Sequence, residues 1–219
     1  MILITGGTGF VGNWMRRTQP KHIRAAYIGQ KEYQLGHWTG KRYTAYVHLA
    51  PVSPRLVNVS ALVDNARVLY CSSGAAYDLH TDYADAKREG ENECLASGVD
   101  VVIARLFTFW GEGLDAGKAY SEFERCALAN EPLIIAGSGN AVRTYMHGSV
   151  MGFIMWRLLE RGLSGEIYDV GSDEKITILE LAKKIVLANK SESEISVLGG
   201  PDPVSFYVPK DVEKTRQLL

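Results

Sequence analysis

The chain has 219 residues, 46% of them hydrophobic and 22% charged, and a formal net charge of −1. That length can bury one substantial core with a small second lobe, and the balanced charge leaves no electrostatic footprint for nucleic acid or an anionic membrane. No apolar run approaches a membrane span. The first residues themselves read as a core strand, leaving no room for a signal peptide, so the expected compartment is the cytoplasm. The three cysteines lack CxxC spacing and the histidines lack ligand spacing, which argues against a disulfide framework and a structural metal.

The chain opens on Ile2–Ile4, a short aliphatic strand, followed by a turn with Gly6, Gly7, Gly9 and Gly12. A helix is expected over Asn13–Arg17. Strand, glycine turn and helix start form the context in which backbone N–H groups hold a pyrophosphate, because a Cβ would block either the turn or the ligand's approach. Further strands are expected at 22–28, 43–50, 67–72 and 99–107, with a short helix at Val57–Asn65 and an Ala-, Glu- and Lys-rich helix over 83–96. Beyond residue 111 the pattern changes. Helices are expected at 119–130, 150–161 and 178–188, with short strands at Leu133–Ile135 and Ile167–Val170. Strands alternating with helices predict a largely parallel sheet. The expected fold is thus α/β, a Rossmann-like doubly wound parallel sheet with a small C-terminal substrate-binding cap. Residues 1–111 would form the core and 112–219 mainly the cap, with 140–170 partly returning to the core.

Several ordered segments resemble the extended short-chain dehydrogenase/reductase family, the NAD(P)-dependent nucleotide-sugar epimerases and dehydratases. They are ITGGTGFVG at the start, VHLA at 47–50, YCSSGAAY at 70–77, Tyr83-Ala-Asp-Ala-Lys87, and IARLFTFWG at 103–111. EPLIIAGSGNAVRTYMH at 131–147 is similar to that family's nucleotide-sugar segment, and YDVGSDEKITILELA at 168–182 to its later pattern. The resemblance implies a bound NAD(P) contacting Gly6, Gly9, Phe10, Val11, Gly12, Gln30, Leu49, Ala50, Ser72, Leu106 and the pair Tyr83 and Lys87. It implies substrate contacts at Ser73, Thr108, Leu133 and Arg143, and a homodimer formed through helices of the Rossmann half.

Tyr83 and Lys87, four apart on a helix, share one face. A phenol is a poor base at neutral pH unless a cation favours its phenolate, and Lys87 with an oxidised nicotinamide supplies that field. Tyr83 would take a proton from a substrate hydroxyl while hydride leaves for the cofactor, and Ser73 would bond the same oxygen. A second Y-x-x-x-K, Tyr27 and Lys31, falls on a strand, where residues four apart do not meet. Arg143 suits a diphosphate, which its guanidinium can grip bidentately. His147 and Tyr145 are candidates for the same cleft, with a structural histidine the competing account, and Trp14, Trp110 and Trp156 read as core or interface aromatics.

The chain departs from the family in being short, with cuts between Ile28 and Val47 and between Ser73 and Tyr83. The nine residues of the second gap still span up to about 30 Å. Gly29, Gln30 and Lys31 stand where an acidic residue would hold the adenosine ribose, so NAD and NADP stay open. Gly74-Ala75-Ala76 replace the acidic pair that a sugar dehydratase uses to remove water. The expected reaction is therefore epimerisation by transient oxidation and return of hydride, with an NAD(P)H-dependent sugar or carbonyl reductase as the alternative. A non-catalytic NADP-binding sensor is the alternative of another class; such proteins lose the Tyr or the Lys, and this chain keeps both.

Overall fold

A computed structural model of the chain describes residues 1–29, 31, 42–49, 66–202 and 204–219. The expected contacts Gln30 and Ala50 and the expected helix Val57–Asn65 lie outside these residues. Five strands from the first half, β1 (Ile2–Thr5), β2 (Ala25–Ile28), β3 (Ala45–His48), β4 (Arg67–Ser73) and β5 (Val101–Leu106), join one sheet. The later strand β10 (Ile167–Val170) completes it, in the order β10-β5-β4-β3-β1-β2. All neighbours are parallel, so every carboxyl end lies on one edge. The order reverses at β1, whose two neighbours are β2 and β3, and such a switch point opens a crevice for a ligand.

Period-two alternation divides each strand between two cores. On one face Ile4, Val47, Leu69 and Val102 pack under the helices α1 (Phe10–Arg17) and α5 (Gly148–Arg161), with Met15, Met151, Met155 and Trp156 filling the layer. The Trp156 indole N–H donates to the Met15 carbonyl at 2.9 Å and ties the two helices. On the other face Leu3, Tyr46, Val68, Tyr70 and Ile103 are buried, and Cys94 of α3 (Asp82–Ala96) packs against them. Between β4 and α3 lies the short α2 (Ala75–Asp78). Helix α5 starts at Gly148, two residues before its first apolar residue, because His147 Nδ1 caps it by accepting from the Ser149 N–H.

The second half builds a smaller lobe around Phe123, Leu133, Ile135, Leu181 and Ile185. Its elements are α4 (Ala119–Ala129), α6 (Ile178–Ala188) and three small sheets. Strand β7 (Leu133–Ile135) pairs with β12 (Ile195–Val197), and β6 (Phe109–Trp110) with β9 (Met146–His147). Strand β8 (Val142–Thr144) lies between β11 (Lys175–Thr177) and β13 (Phe206–Tyr207). The chain then runs back to the sheet edge through α7 (Glu213–Arg216), where the Thr215 hydroxyl donates to the Asp169 carbonyl at 2.7 Å. Among the described residues no helix is long and apolar enough to cross a membrane.

Candidate active site

The parallel sheet gathers the separated segments at its carboxyl edge: the glycine turn after β1, Leu49 after β3, Ser73 at the end of β4 and Leu106 at the end of β5. In the glycine turn, Gly6 has φ +68°, the left-handed region that favours glycine. A Cβ on Gly12 would lie 2.6 Å from the Gly7 Cα and 2.7 Å from the Gly6 carbonyl oxygen, so α1 docks on the turn only through glycine. Gly9, the N-cap of α1, is different. Its φ of −79° is ordinary, and among the described residues a Cβ there would meet nothing closer than the Gly6 carbonyl oxygen at 3.5 Å. Among the described residues nothing demands a glycine at that position, and the bare backbone at the helix N-terminus is the shape a pyrophosphate requires. Phe10 and Val11 form the first helical positions beside it, both packed on the core beneath.

Helix α3 begins at Asp82 because the Thr81 side chain accepts from the Ala84 N–H at 3.2 Å, and this cap fixes Tyr83 in the first turn. Lys87, one turn on, is buried, and its ammonium donates to the Cys71 carbonyl at 2.9 Å. The ammonium sits 5.8 Å from the Tyr83 ring centroid and 5.4 Å from that of Tyr70. Burial lowers the Lys87 pKa against the opposing pull of Cys71 and Glu91. Tyr83 is half exposed at the cleft mouth, yet desolvation raises its pKa, the neighbouring Ser73 hydroxyl works in the opposite direction, and Cys71 adds to the rise. The lone protein phenol thus keeps its proton at neutral pH, and further positive charge is needed to make it a base.

Ser72 and Ser73, adjacent on β4, serve different faces. Ser73 opens into a cavity of about 490 Å³ together with Tyr83, Thr108, Arg143, Tyr145 and Tyr207. Ser72 is wholly buried with its hydroxyl donating to Glu91 at 2.5 Å. Strand alternation turns the Ser72 side chain away from the cavity that Ser73 lines. Glu91 is in turn gripped by Arg105 at 2.8 and 2.6 Å. The Arg105 guanidinium lies 4.1 Å from the Tyr77 ring centroid, and the Tyr77 hydroxyl donates to Asp169 at 3.0 Å. Sequence reasoning missed this buried chain. Its one local signal was the spacing of Glu91, four residues after Lys87 on the same helix face.

A second hollow of about 330 Å³ continues from the first, sharing Arg143, Ala119 and Ile178, and is walled by Ile134, Ile135, Gly137 and Asp202. The Arg143 guanidinium donates to the Val142 carbonyl at 2.8 Å and to the Val204 carbonyl at 2.7 Å, so it is held between the two hollows. Leu133 is not part of either wall. It is fully buried in the cap core, and its neighbours Ile134 and Ile135 line the hollow instead. His147 is a capping residue wedged between Trp14 and Trp110, with ring centroids at 4.8 and 4.5 Å, and does not line the cleft. Tyr207, unsuspected from the sequence, lies 3.0 Å from the Ser73 hydroxyl.

Comparison with known proteins agrees with this architecture. The chain is 24% identical over 284 aligned positions to UDP-glucuronic acid decarboxylase 1 of Danio rerio, taking in all of this chain and 68% of that protein. It is 31% identical over 131 positions to the UDP-N-acetyl-alpha-D-glucosaminuronate decarboxylase of Bacillus cytotoxicus, covering 56% of this chain and 40% of that one. Among solved structures, RMD from Pseudomonas aeruginosa complexed with NADPH superposes with a TM-score of 0.83 at 20% identity, over 99% of this chain and 91% of that one. UDP-glucuronic acid 4-epimerase from Bacillus cereus in complex with NAD gives 0.80 at 17% identity, over 100% and 89%. These similarities at low identity show the Rossmann-type fold. A profile of the NAD dependent epimerase/dehydratase family matches residues 53–171, more than half of the chain. The protein is an enzyme, and it belongs to the NAD dependent epimerase/dehydratase family.

Proposed function

We propose that the protein is a nucleotide-sugar epimerase acting by transient oxidation of a ring hydroxyl. The observation that carries the reading is one continuous cleft, with Ser73 and Tyr83 at one end and Arg143 where it passes into the second hollow. A sugar against the phenol would place its diphosphate beside the guanidinium and its nucleoside near Ile134 and Ile135. Gly9 and the N-terminus of α1 would hold the cofactor's pyrophosphate.

Tyr83 takes the hydroxyl proton under the positive charge of Lys87 together with that which an oxidised nicotinamide would add, and Ser73 hydrogen-bonds the same oxygen as it becomes a carbonyl. When bound, NAD(P) accepts the hydride from the carbon that carried the hydroxyl and later returns it. Reorientation of the ketone between those events inverts the centre. Tyr83 gives its proton back to the oxygen, and no net oxidant is consumed. Gly74, Ala75 and Ala76 offer no carboxylate for expelling water, which disfavours a dehydratase.

A second reading is favoured by the curated relatives, several of which are UDP-sugar acid decarboxylases. The same oxidation, made β to a carboxylate, lets carbon dioxide leave with its bonding electrons passing into the ketone, after which proton and hydride are added. One assay separates the two: the purified protein with NAD⁺ and UDP-glucuronic acid, UDP-glucose or UDP-N-acetylglucosamine in turn. An epimer without carbon dioxide supports the first reading, and a UDP-pentose with equimolar carbon dioxide from the uronic acid supports the second. Tyr83→Phe lowers either turnover by about 100-fold or more. Undiminished turnover in that variant would sink both.

A further inference from the structure

We propose that Tyr207 is a positioning residue for the redox step, its hydroxyl fixing the direction in which Ser73 presents its proton. The tail that carries it is anchored on both sides. Upstream, β13 pairs with β8, Val142 N–H donates to the Ser205 carbonyl at 2.8 Å, and Arg143 holds the Val204 carbonyl. Downstream, the backbone N–H groups of Lys210 and Asp211 both donate to one carboxylate oxygen of Asp169, at 2.7 and 3.1 Å. Between these anchors the Tyr207 ring lies 5.2 Å from that of Phe107, and its hydroxyl meets Ser73 where the cap closes on the sheet edge.

A serine hydroxyl has one proton and two acceptor positions. The Ala75 N–H already donates to Ser73 Oγ at 3.2 Å, occupying one acceptor. Tyr207 is 3.0 Å away on another side and has a second acceptor in reach, the Leu106 carbonyl at 3.4 Å. Two hydrogen-bond chains fit these distances. In one, Ser73 donates to Tyr207 and Tyr207 to Leu106, which points the serine proton away from the cleft. In the other, Tyr207 donates to Ser73, both serine acceptors are filled, and its proton has to turn into the cleft. The first leaves the Tyr207 proton on a 3.4 Å contact, beyond the ordinary O–H···O range, whereas the second places it on the 3.0 Å contact to Ser73, and the second is favoured on that ground. Burial raises the Tyr207 pKa and keeps its proton available. In that arrangement Ser73 donates to Tyr83 or to a forming carbonyl and has no acceptor left for the substrate's proton, which leaves Tyr83 as its destination.

The inference rests on the redox reading of the site, but its test needs no substrate, so the turnover assay can fail independently. Tyrosine labelled with carbon-13 at Cζ is placed in the whole chain, and the Tyr83 resonance is assigned with Tyr83→Phe. Tyr207→Phe, which keeps the ring against Phe107, is expected to displace the Tyr83 resonance about as far as Ser73→Ala does, and the double variant no further. An unmoved resonance in Tyr207→Phe, or in Ser73→Ala, overturns the proposal, as does a double variant equal to the sum of the singles. Neutron diffraction on the deuterated wild type decides it without any substitution. A Tyr207 deuteron on Ser73 and a Ser73 deuteron facing the cleft are expected; a Ser73 deuteron on Tyr207 overturns it.

Discussion

Arg105 holds both carboxylate oxygens of Glu91, at 2.8 and 2.6 Å, one helical turn along α3 from Lys87. The pair is nearly sealed from solvent, with side-chain exposures of 13% and 5%, and Ser72 completes it from β4. The bridge therefore fastens α3, which carries Tyr83 and Lys87, to the sheet at the level where Lys87 bonds Cys71. Removing one partner leaves a buried charge uncompensated, which costs about 3 kcal/mol. Arg105→Met is expected to lose that much in urea unfolding, whereas Glu91→Met with Arg105→Met loses clearly less. A double variant as unstable as the sum of the singles would mean that the pair does not act as a unit.

Burying the Lys87 ammonium costs stability, a cost that the proposed role of Lys87 in the reaction would account for. Its folded pKa is lowered by burial, so the charged form is disfavoured in the native state. For a lysine this sign means that folding is penalised below the folded pKa and that the penalty fades as pH rises past the unfolded value. Lys87→Met is therefore expected to be more stable at neutral pH by about 1 kcal/mol, or about 3 °C in thermal midpoint, while losing turnover. The gain should disappear in strongly alkaline buffer. Calorimetry at neutral and alkaline pH checks both parts, and a destabilised variant at neutral pH would count against the assignment.

Gly9 and Gly12 give opposite expectations from one substitution. Gly12→Ala drives a Cβ into the backbone of Gly6 and Gly7, with contacts below 3.0 Å that no side-chain movement relieves, and is expected to destabilise the fold by about 2 kcal/mol or more. Gly9→Ala meets nothing among the described residues closer than the Gly6 carbonyl oxygen at 3.5 Å and should leave the thermal midpoint within about 1 °C. It should nevertheless weaken NADH and NADPH binding about 10-fold or more, because the methyl occupies the space a pyrophosphate needs. Unchanged dinucleotide affinity in Gly9→Ala would place the cofactor elsewhere.

What the sequence disclosed and what it hid divide along physical lines. The glycine turn and the Tyr83–Lys87 spacing are local patterns, written within a dozen residues, and both stand in the structure where those patterns place them. Faces were harder. Ser72 and Ser73 are chemically equal in sequence, and only strand alternation beneath α3 sends one to Glu91 and the other to the cleft. The same alternation buries Leu133 and turns Ile134 outward on a three-residue strand too short to show its period. Tyr207 had no signal at all. It reaches Ser73 across 134 positions of sequence, through a tail placed by β8 and Asp169.

Arg143 carries the last expectation. Two of its N–H donors are used on the Val142 and Val204 carbonyls, which fixes the guanidinium and leaves three of its five donors for an anion between the two hollows. A diphosphate there would receive charge-assisted bonds from a group that loses little freedom on binding. Arg143→Met is therefore expected to weaken UDP binding about 10- to 100-fold. Arg143→Lys should recover little of that loss, since an ammonium cannot reproduce the planar fork or span both carbonyls. Titration calorimetry with UDP alone is the measurement, run at two salt concentrations because the wild-type interaction should weaken with ionic strength. UDP affinity unaffected in Arg143→Met would move the diphosphate away from the cleft and with it the nucleotide end of the proposed substrate.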